Sequence, residues 1–212
     1  MRESLQRDAL HFRPIKVAKH ENVYNAGDED QMVYFIESGQ IKLGMLSPEG
    51  KECLLAIYTS GDVFGELCLA GLRTRMETAT AMEETICRRV PCAKLFALLD
   101  NDSLLQEFIQ YLVMRIADQQ QIIANLVTVD SEKRLGETLL RLARKLGKKD
   151  VRSILIEHRI SQQELSQIVG TTRPRISEFM QRFQRLGLIE RTTEHYLIVK
   201  ESKLTQYLEH LT

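Results

Sequence analysis

The apolar positions change period along the chain, and each change marks a new kind of element. Between residues 15 and 90 they come in short runs: MVYFIES (32–38), QIKLGML (40–46), ECLLAIY (52–58), METATAME (76–83) and TICRRV (85–90). Gly27, Gly39, Pro48-Glu49-Gly50 and Ser60-Gly61-Asp62 separate them. Short runs at even spacing with turn residues between them predict the strands of a small barrel or sandwich. Pro48 presets φ and Gly50 takes the left-handed position, so this triplet predicts a hairpin turn.

After Pro91 the period becomes helical. Residues 92–99 suit a short helix, and residues 103–127 one long helix. In the long helix Leu105, Ile109, Leu112, Ile116, Gln119, Ile123 and Leu126 alternate steps of four and three. That heptad seam predicts a parallel homodimer, and Gln119, its polar member, can fix the register. Phe108, Tyr111, Met114 and Ile122 form a second strip, expected to pack on the chain's own barrel. Residues 128–130 read as a hinge. A further amphipathic helix follows over 131–146 (Leu135, Leu139, Leu142, Leu146), ended by Gly147. Residues 154–157 are strand-like, and 201–211 suit a terminal helix.

Residues 160–187, ISQQELSQIVGTTRPRISEFMQRFQRLG, predict a helix–turn–helix. Ser161 and Glu164 have the spacing of a capping box, in which each side chain reaches the other's backbone N–H. Leu165, Ile168 and Val169 share one face of the helix this cap begins. Gly170 supplies the positive φ of a tight turn. Thr172 can cap the next helix, and Pro174 falls in its first turn, where a missing N–H costs nothing. Ile176, Phe179, Met180, Phe183 and Leu186 form its buried stripe; Arg173, Arg175, Glu178, Arg182 and Arg185 lie off it. LIERTTEHYLIV (188–199) then reads as two strands about a turn at 192–195, the shape of a wing.

The net charge is zero, but the total hides a division. Residues 1–129 hold 13 basic and 18 acidic side chains, and residues 130–212 hold 16 and 11. The basic half is the half with the helix–turn–helix, and cationic surface supplies the sequence-independent part of DNA affinity. No apolar run approaches the roughly 20 residues that span a bilayer, and the N-terminus lacks a hydrophobic signal region, so a cytoplasmic location is expected. Cys53, Cys68, Cys87 and Cys92 form no C-x-x-C pair. Cys53 and Cys87 sit in apolar runs, where core packing is expected. No GxSxG, HExxH or full P-loop occurs, so catalysis is not expected.

Two segments, GDVFGEL (61–67) and QELSQIVGTTRPRISEFM (163–180), resemble the CRP/FNR family of bacterial transcription regulators. The first is similar to the start of that family's cyclic-nucleotide phosphate cassette, the second to its DNA-reading segment. The resemblance runs from about Val23 to Val199. It implies an α+β fold: an N-terminal β-barrel of the jelly-roll, cyclic-nucleotide-binding kind (1–102), a dimerisation helix and hinge (103–129), and a C-terminal winged helix–turn–helix (130–212). It also implies a homodimer on a near-palindromic operator in double-stranded DNA, in contact with RNA polymerase and switched by an effector in the barrel.

On the DNA side, Arg173 matches the family's first major-groove arginine, whose fork can pair with guanine O6 and N7. Pro174 stands where a polar reader is usual, and Glu178 where a later arginine is. Glutamate can accept from a cytosine amine, so the operator is expected to depart from the best-known family sequence. Arg175 and Ser177 are further base or phosphate candidates. Thr171, Thr172, Arg182, Arg185 and Lys200 are candidates for the backbone.

On the ligand side, Gly65, Glu66 and Leu67 fit the cassette, and Arg75 falls at the position of the arginine that pairs with a cyclic phosphate. Met76 then stands where the family's cAMP binders carry a hydroxyl, and Glu77 follows it. Gln119 and Gln120 occupy the positions of the Thr and Ser that face the base. A cyclic nucleotide is one candidate effector; a different effector and none at all are the others. Glu66 and Arg75 also suit an internal salt bridge. The family's iron–sulfur mode needs an N-terminal cysteine cluster, and no cysteine precedes Cys53. Haem needs an axial ligand, and His11, His20, His158, His195 and His210 are scattered. The competing reading is a cyclic-nucleotide-type regulatory module that acts on a protein partner, which the basic helix pair argues against.

Overall fold

A computed structural model describes residues 12–100, 102–150, 152–157 and 159–211. His11 and His158 therefore lie outside the described residues. The chain divides into two compact units, Met1–Asp118 and Gln119–Thr212, with the boundary inside the long helix.

The first unit is a roll of two four-stranded antiparallel sheets rather than one closed barrel. One sheet orders β1 (Pro14–Val17), β8 (Thr85–Pro91), β3 (Met32–Ser38) and β6 (Val63–Phe64). The other orders β2 (Asn22–Tyr24), β7 (Thr78–Ala81), β4 (Gln40–Leu46) and β5 (Glu52–Thr59). Strand β3 explains the architecture. Its side chains alternate between two cores, because successive residues point to opposite faces. Tyr34 and Ile36 join Val17, Ile41, Phe64 and Ala79 between the sheets. Val33 and Phe35 join the outer cluster, where Val90, Leu95, Leu104 and Phe108 pack. A strand buried on both faces reads as a continuous apolar run rather than as alternation. Gly39, between β3 and β4, has φ +90, and a Cβ there would stand 2.4 Å from the Thr85 Oγ1. Both the turn and the close approach require glycine.

Helix α1 (Cys92–Leu98) and the long helix α2 (Asp102–Thr128) cover that outer face. Leu104, Phe108 and Tyr111 are buried there, and the Tyr111 hydroxyl accepts from the Val63 N–H at 3.0 Å. Met114, expected to continue this strip, is 65% exposed; Arg115 takes its place, set over the Tyr58 ring. Ile122 is half-buried. One step round the helix, Leu105, Ile109, Ile116, Ile123 and Leu126 are exposed in the single chain. Leu112 packs partly on the outer cluster.

Three cysteines are buried. Burial pushes the Cys87 thiol up to about 12, and burial with a bond to Cys92 does the same for Cys68. Such thiols are poor nucleophiles at neutral pH. Cys53 is exposed, not in the core as its run suggests, because β5 is an edge strand and turns that position outward.

The second unit takes in the end of α2, then α3 (Ser131–Leu146), a sheet of order β11–β12–β10–β9, and three further helices. These strands are β9 (Gly147–Lys149), β10 (Ile154–Ile156), β11 (Ile189–Arg191) and β12 (Leu197–Val199). Asp130 caps α3 by accepting from the Glu132 and Lys133 N–H groups. Leu135, Leu139, Leu142 and Leu146 are all buried, as their spacing requires. Gly147 ends α3 as expected, as its C-cap, and with an extended φ of −92 it also opens β9. A Cβ there would sit 2.1 Å from Ile154 Cγ2, so close strand packing selects the glycine. The expected hinge is braced: Arg134 donates to the Val129 and Val169 carbonyls, and Asn125 to Glu137.

Candidate nucleic-acid interface

The helix–turn–helix forms where its signals place it. In α4 (Gln162–Val169) the capping box closes in both directions, with Glu164 N donating to Ser161 Oγ and Ser161 N to Glu164 Oε2. Leu165 and Val169 are buried and Ile168 is half-buried. Gly170 adopts φ 68 and ψ 46, the left-handed turn. The second helix, α5 (Arg173–Arg185), follows with Thr172 at its cap position and Pro174 in its first turn. The Thr172 hydroxyl makes no capping bond, contrary to expectation. Thr172 is an exposed residue. Ile176, Phe179, Met180 and Phe183 bury one face. Leu186 does not extend that stripe: the helix ends at Arg185, and Leu186 is 51% exposed.

The opposite face of α5 is open. Thr172, Arg173, Pro174 and Arg175 are exposed, and Thr171 and Ser177 half-buried. Glu178 is also exposed, one helical turn from Arg182. Strands β11 and β12 pair antiparallel about a turn in which His195 takes φ 67, completing a wing.

Arg182, read from sequence as a backbone contact, is 40% exposed and pairs with two carboxylates, Glu132 and Glu178. Its Nη1 donates to Glu132 Oε2 at 2.5 Å, and the Tyr207 hydroxyl on α6 (Glu201–Glu209) donates to Glu132 Oε1 at 2.8 Å. Burial and this bond push the Tyr207 hydroxyl above its ordinary range. Glu132 thus joins α3, α5 and α6. Sequence reading missed it, because a glutamate in a first helical turn has an ordinary local role beside the helix dipole. Glu132→Ala is expected to cost about 1–2 kcal/mol, less than breaking a fully buried pair because Arg182 faces solvent on one side. Glu132→Gln, which can still accept from Tyr207, should recover part of it. Urea unfolding of the three proteins checks the order.

In the roll, the structure gives the cassette residues different partners from those the sequence suggests. Gly65 (φ 77) opens a 3₁₀ turn, Glu66–Ala70. The Arg75 side chain is 3% exposed. Its Nη1 donates to the Gly65 carbonyl at 2.6 Å, and its Nη2 to Asp30 Oδ2 at 2.9 Å and to the Met32 carbonyl. The guanidinium also lies 4.2 Å from the centre of the Tyr24 ring. Burial, the largest single influence, opposes its charge, but Asp30 together with Tyr24 and Tyr34 outweighs that and raises its pKa. Glu66 turns instead to Arg115, with Oε1 2.9 Å from Nη1. The Glu66–Arg75 bridge is therefore replaced by two others, Arg75–Asp30 and Arg115–Glu66. Glu77 is buried and accepts from the Tyr24 hydroxyl at 2.9 Å. Leu67 and Met76 are exposed, as are Gln119 and Gln120 in the second unit.

The Arg75 fork already has three acceptors and an aromatic face, so a cyclic phosphate would compete with the Asp30 carboxylate for it; Arg75 Nε and Glu66 Oε2 are buried without a hydrogen-bond partner. Asp30 lies 45 residues from Arg75 on a segment without a motif, and Arg115 is a lone cation in an apolar strip. Neither carries a local signal.

Comparison with known proteins agrees with this division of the chain. Residues 14–102 match the family of cyclic nucleotide-binding domains, and residues 133–207 match the Crp-like helix-turn-helix domain. The chain is 26% identical over 196 residues to a CRP-like cAMP-activated global transcriptional regulator of Mycobacterium tuberculosis, covering 92% of this chain and 88% of the relative. It is 24% identical over 210 residues to the fumarate and nitrate reduction regulatory protein of Escherichia coli, covering 97% and 82%. Its fold is similar to that of FixK2 from Bradyrhizobium japonicum, with a TM-score of 0.79 at 17% identity over 92% and 96% of the two chains. Two domains of these kinds, joined by a long helix in that order, make the chain a member of the CRP/FNR family of DNA-binding transcription regulators.

Proposed function

We propose that the chain acts as a homodimer joined along the exposed seam of α2, with each α5 seated in a major groove of a near-palindromic operator. The observation that carries this reading is the pairing of an open arginine tip on α5 with an uncovered heptad stripe on α2. A two-fold dimer places its reading helices about one turn of DNA apart. Arg173 reads guanine, Arg175 and Glu178 adjust the sequence preference, and Thr171, Thr172 and Ser177 border the backbone. Contact with RNA polymerase at the promoter is the expected output, by analogy with relatives that regulate transcription. None of the helices among the described residues is long and apolar enough to cross a membrane, which agrees with a cytoplasmic regulator. Selection from a duplex library tests the reading: recovered sequences should carry two-fold symmetry, and recovery of no duplex rejects it.

The Arg75–Asp30 pair supports a second element of the proposal. The cassette serves as an internal clasp, and an effector, where one acts, leaves that clasp intact. Calorimetric titration with cAMP, cGMP and cyclic dinucleotides should therefore give no saturable heat. Saturable heat that disappears in Arg75→Ala would restore the cyclic phosphate.

A further inference from the structure

Arg159, Arg173 and Arg191 line one cleft of about 580 Å³ with Ser161, Gln162 and His195. The cleft lies where the start of α4, the tip of α5 and the wing converge. Its chemistry is cationic. Glu164 is engaged by Ser161 in the cap, and Glu190 is paired with Lys200. Among the described residues, no carboxylate pairs with Arg173 or Arg191. Arg159 is held in place by its Nε, which donates to the Glu194 carbonyl at 3.1 Å. The wing turn is fixed as well: His195 N donates to the Thr192 carbonyl at 3.0 Å and Tyr196 N to Thr192 Oγ1 at 3.1 Å. His195 accepts the left-handed conformation that this tight turn needs.

We propose that this cleft clamps one backbone phosphate of the operator in each subunit, with Arg159 and Arg191 as the gripping residues. This rests on the DNA-binding reading above and adds a site to it. Three guanidinium groups around one cavity select an anion, and their planar forks match phosphate oxygens. One of the three, Arg173, also belongs to the helix tip that reads bases, so the nearest anion is a phosphate of that same duplex. The division of labour follows: Arg159 and Arg191 fix the register of the protein on the backbone, and Arg173 is left to specify sequence.

The test is fluorescence anisotropy with an operator duplex and a scrambled duplex over a salt series. Each phosphate contact contributes about 0.9 to the slope of log affinity against log salt. The Arg159→Ala/Arg191→Ala double variant should therefore lose a slope of about 2 per dimer, and Arg191→Ala alone about 1. Both duplexes should weaken by the same factor. Arg191→Ala guards against a trivial result, since Arg191 holds no part of the wing turn, whereas Arg159 does through Glu194. An unchanged slope in both variants, or weakening confined to the operator, overturns the clamp. A wild-type protein that binds neither duplex overturns the DNA-binding reading itself, before any variant is made.

Discussion

Ile116→Asp is expected to convert the protein to a folded monomer and to abolish tight operator binding. Ile116 lies mid-seam, 52% exposed in the single chain, and belongs to neither core cluster of the roll. In a parallel dimer it faces its own copy, so the substitution sets two carboxylates opposite each other in an apolar contact. Like charges there repel, and each loses hydration as the helices close. Because the position is solvent-facing within one chain, thermal unfolding of the roll should move little. The DNA effect is much larger. Two linked half-site contacts exceed one by a factor on the order of 10²–10⁴, and a monomer forfeits that gain. Sedimentation velocity and anisotropy on the same samples check both halves. A variant that remains dimeric with unchanged affinity places the interface elsewhere.

Arg173→Ala is expected to have the next largest effect, with a different signature. An arginine forked onto guanine contributes about 1–3 kcal/mol of discrimination, and a dimer makes the contact twice. Operator affinity should fall roughly 30-fold to 10⁴-fold, while affinity for scrambled DNA falls little. Lysine should rescue poorly, because an ammonium lacks the fork. Competition assays in which the guanine of each half-site is replaced supply the check. The variant should show no preference among the four bases at that position. Equal weakening on both duplexes would mean that Arg173 touches only phosphate.

The parts of the fold that depend on local spacing were legible in the sequence. The capping box, the glycine turn and the leucine stripe of α3 each occupy one short stretch, and their chemistry is complete within it. Strands β6 and β9 were not legible. β6 has only two residues, and β9, Gly147–Lys149, has no apolar side chain to alternate. Stripe edges misled for a related reason. Leu186 lies three residues beyond Phe183, but the helix stops one residue too early to bury it. Met114 has the hydropathy for the roll-facing strip, yet Arg115 fills that position because the Tyr58 and Tyr111 rings accept a guanidinium. Most opaque were the buried ion pairs. Asp30 meets Arg75, and Glu66 meets Arg115, only because the sheets bring distant segments together. Motif spacing placed Glu66 and Arg75 correctly in one region but could not say which charge each would answer.

The two-faced burial of β3 has a consequence for how this protein diverges among its relatives. A substitution at any of the four positions 33–36 disturbs a packed neighbourhood whichever way the side chain points, so few replacements there should be tolerated. The hairpin tip at 48–51 touches solvent throughout and is free to wander. Lineages should accumulate their differences at that tip and keep the buried strand nearly unaltered.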